Sequence, residues 1–172
     1  VHRAEADWLS EGYLAERREI QDYLTERPFT QAPPPGFRLQ DYAISPCDAT
    51  GFLEDEELID IGGRTLTCLH TPGHSPGHLC FLDQQRGLLA TGDLIYQGIL
   101  LAGLEHSNAN HYRKSLERIK SLSRIKQLLP GHGRLKIGID LLNEASEAFE
   151  TLNRAGKLER GAGLPSFDRI LV

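Results

Sequence analysis

The sequence has no methionine, a single tryptophan and three cysteines in 172 residues. No apolar run approaches the ~20 residues that cross a bilayer, and no charged-then-apolar leader pattern opens at Val1, so neither a membrane-spanning helix nor a signal peptide is expected. Cys47, Cys68 and Cys80 make no Cys-x-x-Cys pair and are odd in number, which argues against a disulfide framework and a cysteine zinc knuckle. They read as reduced thiols of a cytoplasmic protein, with Cys68 and Cys80 as small core residues on strands. There is no block of Lys or Arg, and the formal net charge is −5. Phosphate-backbone binding needs clustered cations, so nucleic acid is not expected as the main partner, nor is a membrane surface. The missing methionine extends to position 1, which predicts that Val1 follows processing or truncation.

What is present fits a globular chain of one-domain length, with 40% hydrophobic and 25% charged residues. A short helix is expected over Arg3–Leu9. A longer amphipathic one follows over Glu11–Thr25, with Tyr13, Ile20 and Leu24 on its buried side and a stop at Pro28. Gln31–Gly36, with three consecutive prolines, is a stiff connector. From Leu53 the pattern changes. Leu58–Ile61 and Arg64–His70 read as a hairpin around Gly62-Gly63, and Leu79–Leu82 and Leu88–Thr91 as a second pair. Helical spacing returns over Asn108–Leu122, with Tyr112, Leu116, Ile119 and Leu122 on one face. Ile125–Leu129 is a short strand, Lys136–Asn153 a last helix, and Phe167–Val172 a terminal strand. Antiparallel hairpins flanked by helices predict an α+β layered domain, with 1–52 helical and Pro-rich and 53–172 carrying the chemistry.

That chemistry centres on His70-Thr71-Pro72-Gly73-His74-Ser75-Pro76-Gly77-His78. Histidine recurs at every fourth position, but the prolines and glycines prevent a helix, so the segment is a shaped loop. His74 follows the strand ending at His70, Asp93 follows the strand ending at Thr91, and His132 follows the strand ending at Leu129. A glycine (Gly73, Gly92, Gly131) immediately precedes each. Taken singly, a loop histidine is a surface residue and a Gly-Asp is a turn or a helix cap. If the three strands run the same way in one sheet, the three side chains gather at one edge. Two imidazoles and a carboxylate are good ligands for zinc or iron.

Thr71–Gly77, then Thr91-Gly92-Asp93, then Leu129–Gly133 resemble, in order and spacing, the later motifs of the metallo-β-lactamase-fold hydrolases. The likeness runs from about Leu53 to Leu152, and Val1–Ala6 is similar to the step that follows that family's first metal motif. The resemblance implies part of an αββα sandwich. It implies metal ligation by His74, Asp93 and His132, with Asp93 the catalytic carboxylate bridging one or two zinc ions (iron or manganese as alternatives), and attack on substrate by a metal-bound hydroxide. The family's H-x-H-x-D-H motif and the sheet that precedes it do not occur here, and His2 lacks the neighbours to replace them. The expectation is therefore an incomplete domain, weakly active or inactive by itself.

Around these ligands, His78 is expected to orient a ligand or contact substrate, Tyr96 and His106 to contact substrate, His70 to be structural and His111 to be exposed. The leading reading is a hydrolase of a small-molecule thioester or ester. Two rivals are a non-catalytic scaffold that lost the first motif and an iron-dependent oxygenase acting on persulfides. Pairing into a homodimer would cover an exposed sheet edge or face.

Overall fold

The computed structural model describes residues 1–13, 21, 22, 25 and 31–159, together with the backbone of 170 and 171. Most of the expected helix at 11–25 therefore lies outside the described residues. Its first positions are a turn rather than a helix, because Gly12 and Tyr13 take φ of 66° and 54°.

The chain divides into two compact units. The first comprises Val1 and Arg3–Phe52. It opens with a 3₁₀ turn at Arg3–Glu5 that runs into helix α1 (Ala6–Ser10), and a second 3₁₀ turn lies at Leu39–Asp41. The Cys47 N–H donates to the Leu9 carbonyl at 2.9 Å, and the Arg3 guanidinium lies 4.5 Å from the centre of the Phe52 ring.

The second unit, His2 with Leu53–Val172, is α+β as the order of hairpins and helices predicts. Its elements are β1 (Leu58–Asp60), β2 (Thr65–His70), β3 (Leu79–Asp83), β4 (Leu88–Gly92), β5 (Leu100–Leu101), α2 (Ala109–Ser121), β6 (Gln127–Pro130), α3 (Asp140–Arg154) and β7 (Ile170–Leu171). Five strands form one sheet in the order β1-β2-β3-β4-β6, and β5 and β7 form a parallel pair of their own. β1 to β4 are antiparallel neighbours, while β6 pairs parallel to β4. It follows that β2, β4 and β6 all run the same way, the condition that brings the three candidate ligands to one edge.

Alternation along the strands builds the core. Leu69, Cys80, Leu82, Leu89 and Leu128 are buried in one cluster with Tyr112, Leu116 and Ile119 of α2 and Leu142, Phe149 and Leu152 of α3. The Tyr112 and Phe149 rings stack with centroids 4.7 Å apart, joining the two helices. On the opposite pleat Cys68, Phe81, Ala90 and Leu129 stand in one row across four strands.

α2 starts where the Asn108 side chain accepts from the His111 N–H at 2.9 Å, an N-cap. α3 begins four residues later than its apolar spacing suggests. Ile137 exchanges both backbone hydrogen bonds with Leu128 (3.0 and 3.1 Å), which holds Lys136–Gly138 against the sheet and delays the helix to Asp140. The strand expected from Ile125 likewise opens only at Gln127.

Candidate metal centre

Each candidate ligand leaves the sheet through a differently built turn. After β2, Gly73 takes φ of 147° and packs against the first turn of α2 so closely that a Cβ there would fall 2.3 Å from the Tyr112 Cα. The first turns of α2 and the loop before it hold this segment by its carbonyls. The Asn108 N–H donates to Gly73 O, the Ser107 hydroxyl to His74 O and the Ser115 hydroxyl to Pro72 O, each at 2.7 Å. At the end of β4 the pairing with β6 slips by one residue around Thr91, and the chain turns at Gly92 with φ of 49°. A bulge of this kind re-aims the side chain that follows it, here Asp93. Gly131, before His132, does not need a left-handed conformation. Its N–H donates to Gly92 O at 2.9 Å, and an added Cβ would crowd the Gly92 backbone at 3.3 Å. Of the three glycines, two serve the turn as expected, and the third serves close approach between turns.

These turns deliver the three side chains to one point. His132 Nε2 lies 2.7 Å from Asp93 Oδ1, and His74 Nε2 lies 3.7 Å from Asp93 Oδ2. The Leu101 carbonyl sits 3.1 Å from His74 Nδ1, so that nitrogen is the donor there and Nε2 is the one turned to the carboxylate. Asp93 Oδ1 is inaccessible to solvent and makes no well-directed hydrogen bond, although the side chain as a whole is one-third exposed (32%). His132 is the open side of the group at 66% exposure, with the Tyr96 ring edge-on at 5.5 Å.

Among the described residues no set of three or more His, Cys, Asp and Glu side chains is arranged as a formed metal cage. The three candidates meet pairwise on the carboxylate instead. Their chemistry nevertheless fits a cation. His74 turns Nε2 toward Asp93 Oδ2 across 3.7 Å, a gap between two potential metal donors. The inward oxygen of Asp93 makes no well-directed hydrogen bond and faces His132 Nε2 at 2.7 Å. A dication here would take donors from both imidazoles and have its charge offset by the carboxylate.

Behind the ligands, His78 is buried and bridges two loops. Its Nε2 accepts the Asp93 N–H at 3.1 Å, which places its proton on Nδ1, 2.8 Å from the Thr71 hydroxyl. Thr71 in turn reaches Cys80 Sγ at 3.3 Å. His78 thus touches the Asp93 backbone from behind the turn. His70 is tied into its own loop, with Nε2 2.9 Å from Pro76 O and its carbonyl accepting from Arg118. His111 is exposed, and half-buried His106 lies in the loop leading to α2. A residue the sequence does not single out is Tyr112. Its hydroxyl donates to both Asp93 O (2.8 Å) and Leu94 O (2.7 Å), and burial pushes its phenol well above the usual range, so it stays a neutral donor. Its place on the apolar stripe of α2 hides this role.

The family model described as the metallo-beta-lactamase superfamily matches residues 6–132. The chain belongs to this superfamily. An acyl-coenzyme A thioesterase, MBLAC2 of Gallus gallus, is 34% identical over 135 residues, covering 77% of this chain and 48% of that protein. An atrochrysone carboxyl ACP thioesterase of Aspergillus fumigatus is 36% identical over 119 residues, covering 69% and 35%. The chain therefore spans half or less of the length of these curated relatives. The crystal structure of a metallo-beta-lactamase family protein of Thermus thermophilus, TTHA1429, superposes with a TM-score of 0.64 at 21% identity, over 90% of this chain and 53% of that one. That likeness places the α+β sheet and its helices within the metallo-beta-lactamase fold. Members of the superfamily typically bind metal ions, and the relatives named here are thioesterases. Among the described residues no helix is long and apolar enough to cross a membrane.

Proposed function

We propose that this chain carries the His74, Asp93 and His132 ligands of a metal-dependent hydrolase that cleaves acyl thioesters to a carboxylic acid and a thiol. The observation that supports it is the Asp93 carboxylate, one oxygen buried and without a hydrogen bond, set between two imidazoles at the ends of three strands that run the same way. The thioesterase names of the relatives supply the substrate class.

In this reading His74 and His132 donate through Nε2, and Asp93 supplies the charge that offsets the cation, zinc in the first instance, with iron or manganese as alternatives. When bound, such an ion contributes Lewis acidity and acidified water. The Leu101 carbonyl keeps His74 in the tautomer that leaves Nε2 free to donate, and His78 holds the Asp93 peptide N–H. Tyr96, edge-on to His132 and with its hydroxyl donating to the Ile99 carbonyl, is the side chain assigned to contact the acyl group. Three protein donors by themselves hold an ion loosely, so this stretch alone is expected to turn over slowly.

The test is thiol release from a panel of acyl-coenzyme A esters, followed with a disulfide chromophore, by the complete protein loaded with zinc. Turnover should be abolished by chelation and by Asp93→Asn. A zinc-loaded protein that releases no thiol, or releases it undiminished after Asp93→Asn, refutes the reading.

A further inference from the structure

Asp93 is held in place by its peptide groups rather than by its carboxylate. On the amide side His78 accepts its N–H. On the carbonyl side the Tyr112 hydroxyl donates its one proton to a shared pair of acceptors, Asp93 O and Leu94 O. Tyr112 belongs to α2, and the start of α2 also grips the other ligand-bearing loop. Asn108, Ser107 and Ser115 hold the carbonyls of Gly73, His74 and Pro72, and the Gly73 backbone lies directly on that of Tyr112. A single helix thus fastens the backbone on both sides of the 3.7 Å gap between His74 Nε2 and Asp93 Oδ2.

The Tyr112 ring cannot easily swing, because it is fully buried and stacked nearly parallel on Phe149, with 12° between the planes. A core position that needed only apolar volume would be served as well by phenylalanine. A buried hydroxyl is costly unless satisfied, and this one is satisfied by the turn that carries Asp93.

We propose that Tyr112 is a positioning residue that sets the reach between the Asp93 carboxylate and His74, by clamping the Asp93-Leu94 turn to the same helix that carries the His74 loop. This rests on the reading of Asp93 and His74 as metal ligands. It adds that ligand spacing is controlled from α2, through a phenol that touches neither metal nor substrate.

The test is Tyr112→Phe in the complete protein, which keeps the ring stack and removes only the hydroxyl. Zinc affinity is measured by competition with a chromophoric chelator, and ligand geometry from the visible absorption of the Co²⁺-substituted protein. Zinc should bind about tenfold more weakly, as when a group that orients a ligand is removed, and the Co²⁺ bands should shift. Ile119→Val trims the core on the same helix and leaves the hydroxyl in place. It should lower the melting temperature and leave zinc affinity and the Co²⁺ spectrum as in the wild type. Zinc affinity untouched by Tyr112→Phe, or weakened equally by Ile119→Val, overturns the proposal alone. A wild-type protein that takes up neither ion overturns the ligand reading and the proposal together. Should Tyr112→Phe fail to fold, 3,5-difluorotyrosine at position 112 changes the donor strength of the hydroxyl with little change of shape, and an unmoved Co²⁺ spectrum then overturns the proposal.

Discussion

Gly92 and His78 should be energetically coupled, and the contact between them gives the size of the effect. Gly92 has φ of 49°, where an L-residue costs about 1–2 kcal/mol. A Cβ built there would sit 2.8 Å from His78 Nε2, the atom that accepts the Asp93 N–H. The methyl of Gly92→Ala must push the imidazole off that donor, and a lost hydrogen bond of this kind costs about 1–1.5 kcal/mol. The sum is roughly 2–3.5 kcal/mol, or a fall of roughly 5–12 °C in melting temperature for a chain of this length. His78→Ala forfeits the bonds to Asp93 and Thr71 and leaves a cavity, for about 3 kcal/mol. In the double variant the methyl enters space the imidazole has vacated, and the bond it would have broken is already gone. The two single costs should therefore overshoot the double by about 1–1.5 kcal/mol, measurable by urea unfolding of all four proteins. Additivity within about 0.5 kcal/mol would show that the methyl and the ring do not compete, and would refute the account of this turn.

Gly73→Ala should be far more damaging than Gly92→Ala, because its Cβ meets helix backbone that cannot rotate away; the expected loss exceeds about 4 kcal/mol, seen as absence of a cooperative thermal transition. Asn108→Ala removes the α2 cap and should lower stability by about 1 kcal/mol in denaturant titration. In the native protein a thiol reagent should modify exposed Cys47 rapidly and spare Cys80, whose burial pushes its thiol up to about 12, while the denatured chain yields all three thiols. Burial acts to raise the Asp55 carboxyl, but the Arg118 guanidinium and the His70 N–H outweigh it and hold it below its usual 3.8. A lowered carboxyl stabilises the fold above its unfolded value, and that contribution disappears as pH falls through its folded value. Asp55→Asn should therefore flatten the acid limb of stability below about pH 4, read from melting temperature against pH.

The candidate ligands were legible because each lies in a short local pattern, a strand followed by a glycine and a side chain able to bind a metal. Their convergence was only conditional on strand direction, which is a property of the sheet. The helix at 109–121 was legible to within a residue at each end from its apolar spacing alone. The start of α3 was misplaced because Ile137 is recruited by Leu128, a partner nine residues away whose pull leaves no mark on helical spacing. The β5–β7 pair joins Leu100 to Ile170, a separation that no window of sequence reports. Tyr112 shows the deepest limit. Its position on the stripe correctly assigns it to the core, but what its hydroxyl meets depends on how α2 docks across the turn after β4.

The Gly131 N–H bond to Gly92 O joins the turns bearing Asp93 and His132 directly, backbone to backbone, with no room for a side chain between them. The separation of these two residues is thereby set by the pairing of β4 with β6. Segments 97–107 and 133–136 take no part in this bond, and 97–107 acts instead on the His74 loop through Leu101 and Ser107. In such an architecture the spacing of Asp93 and His132 belongs to the sheet and not to its loops.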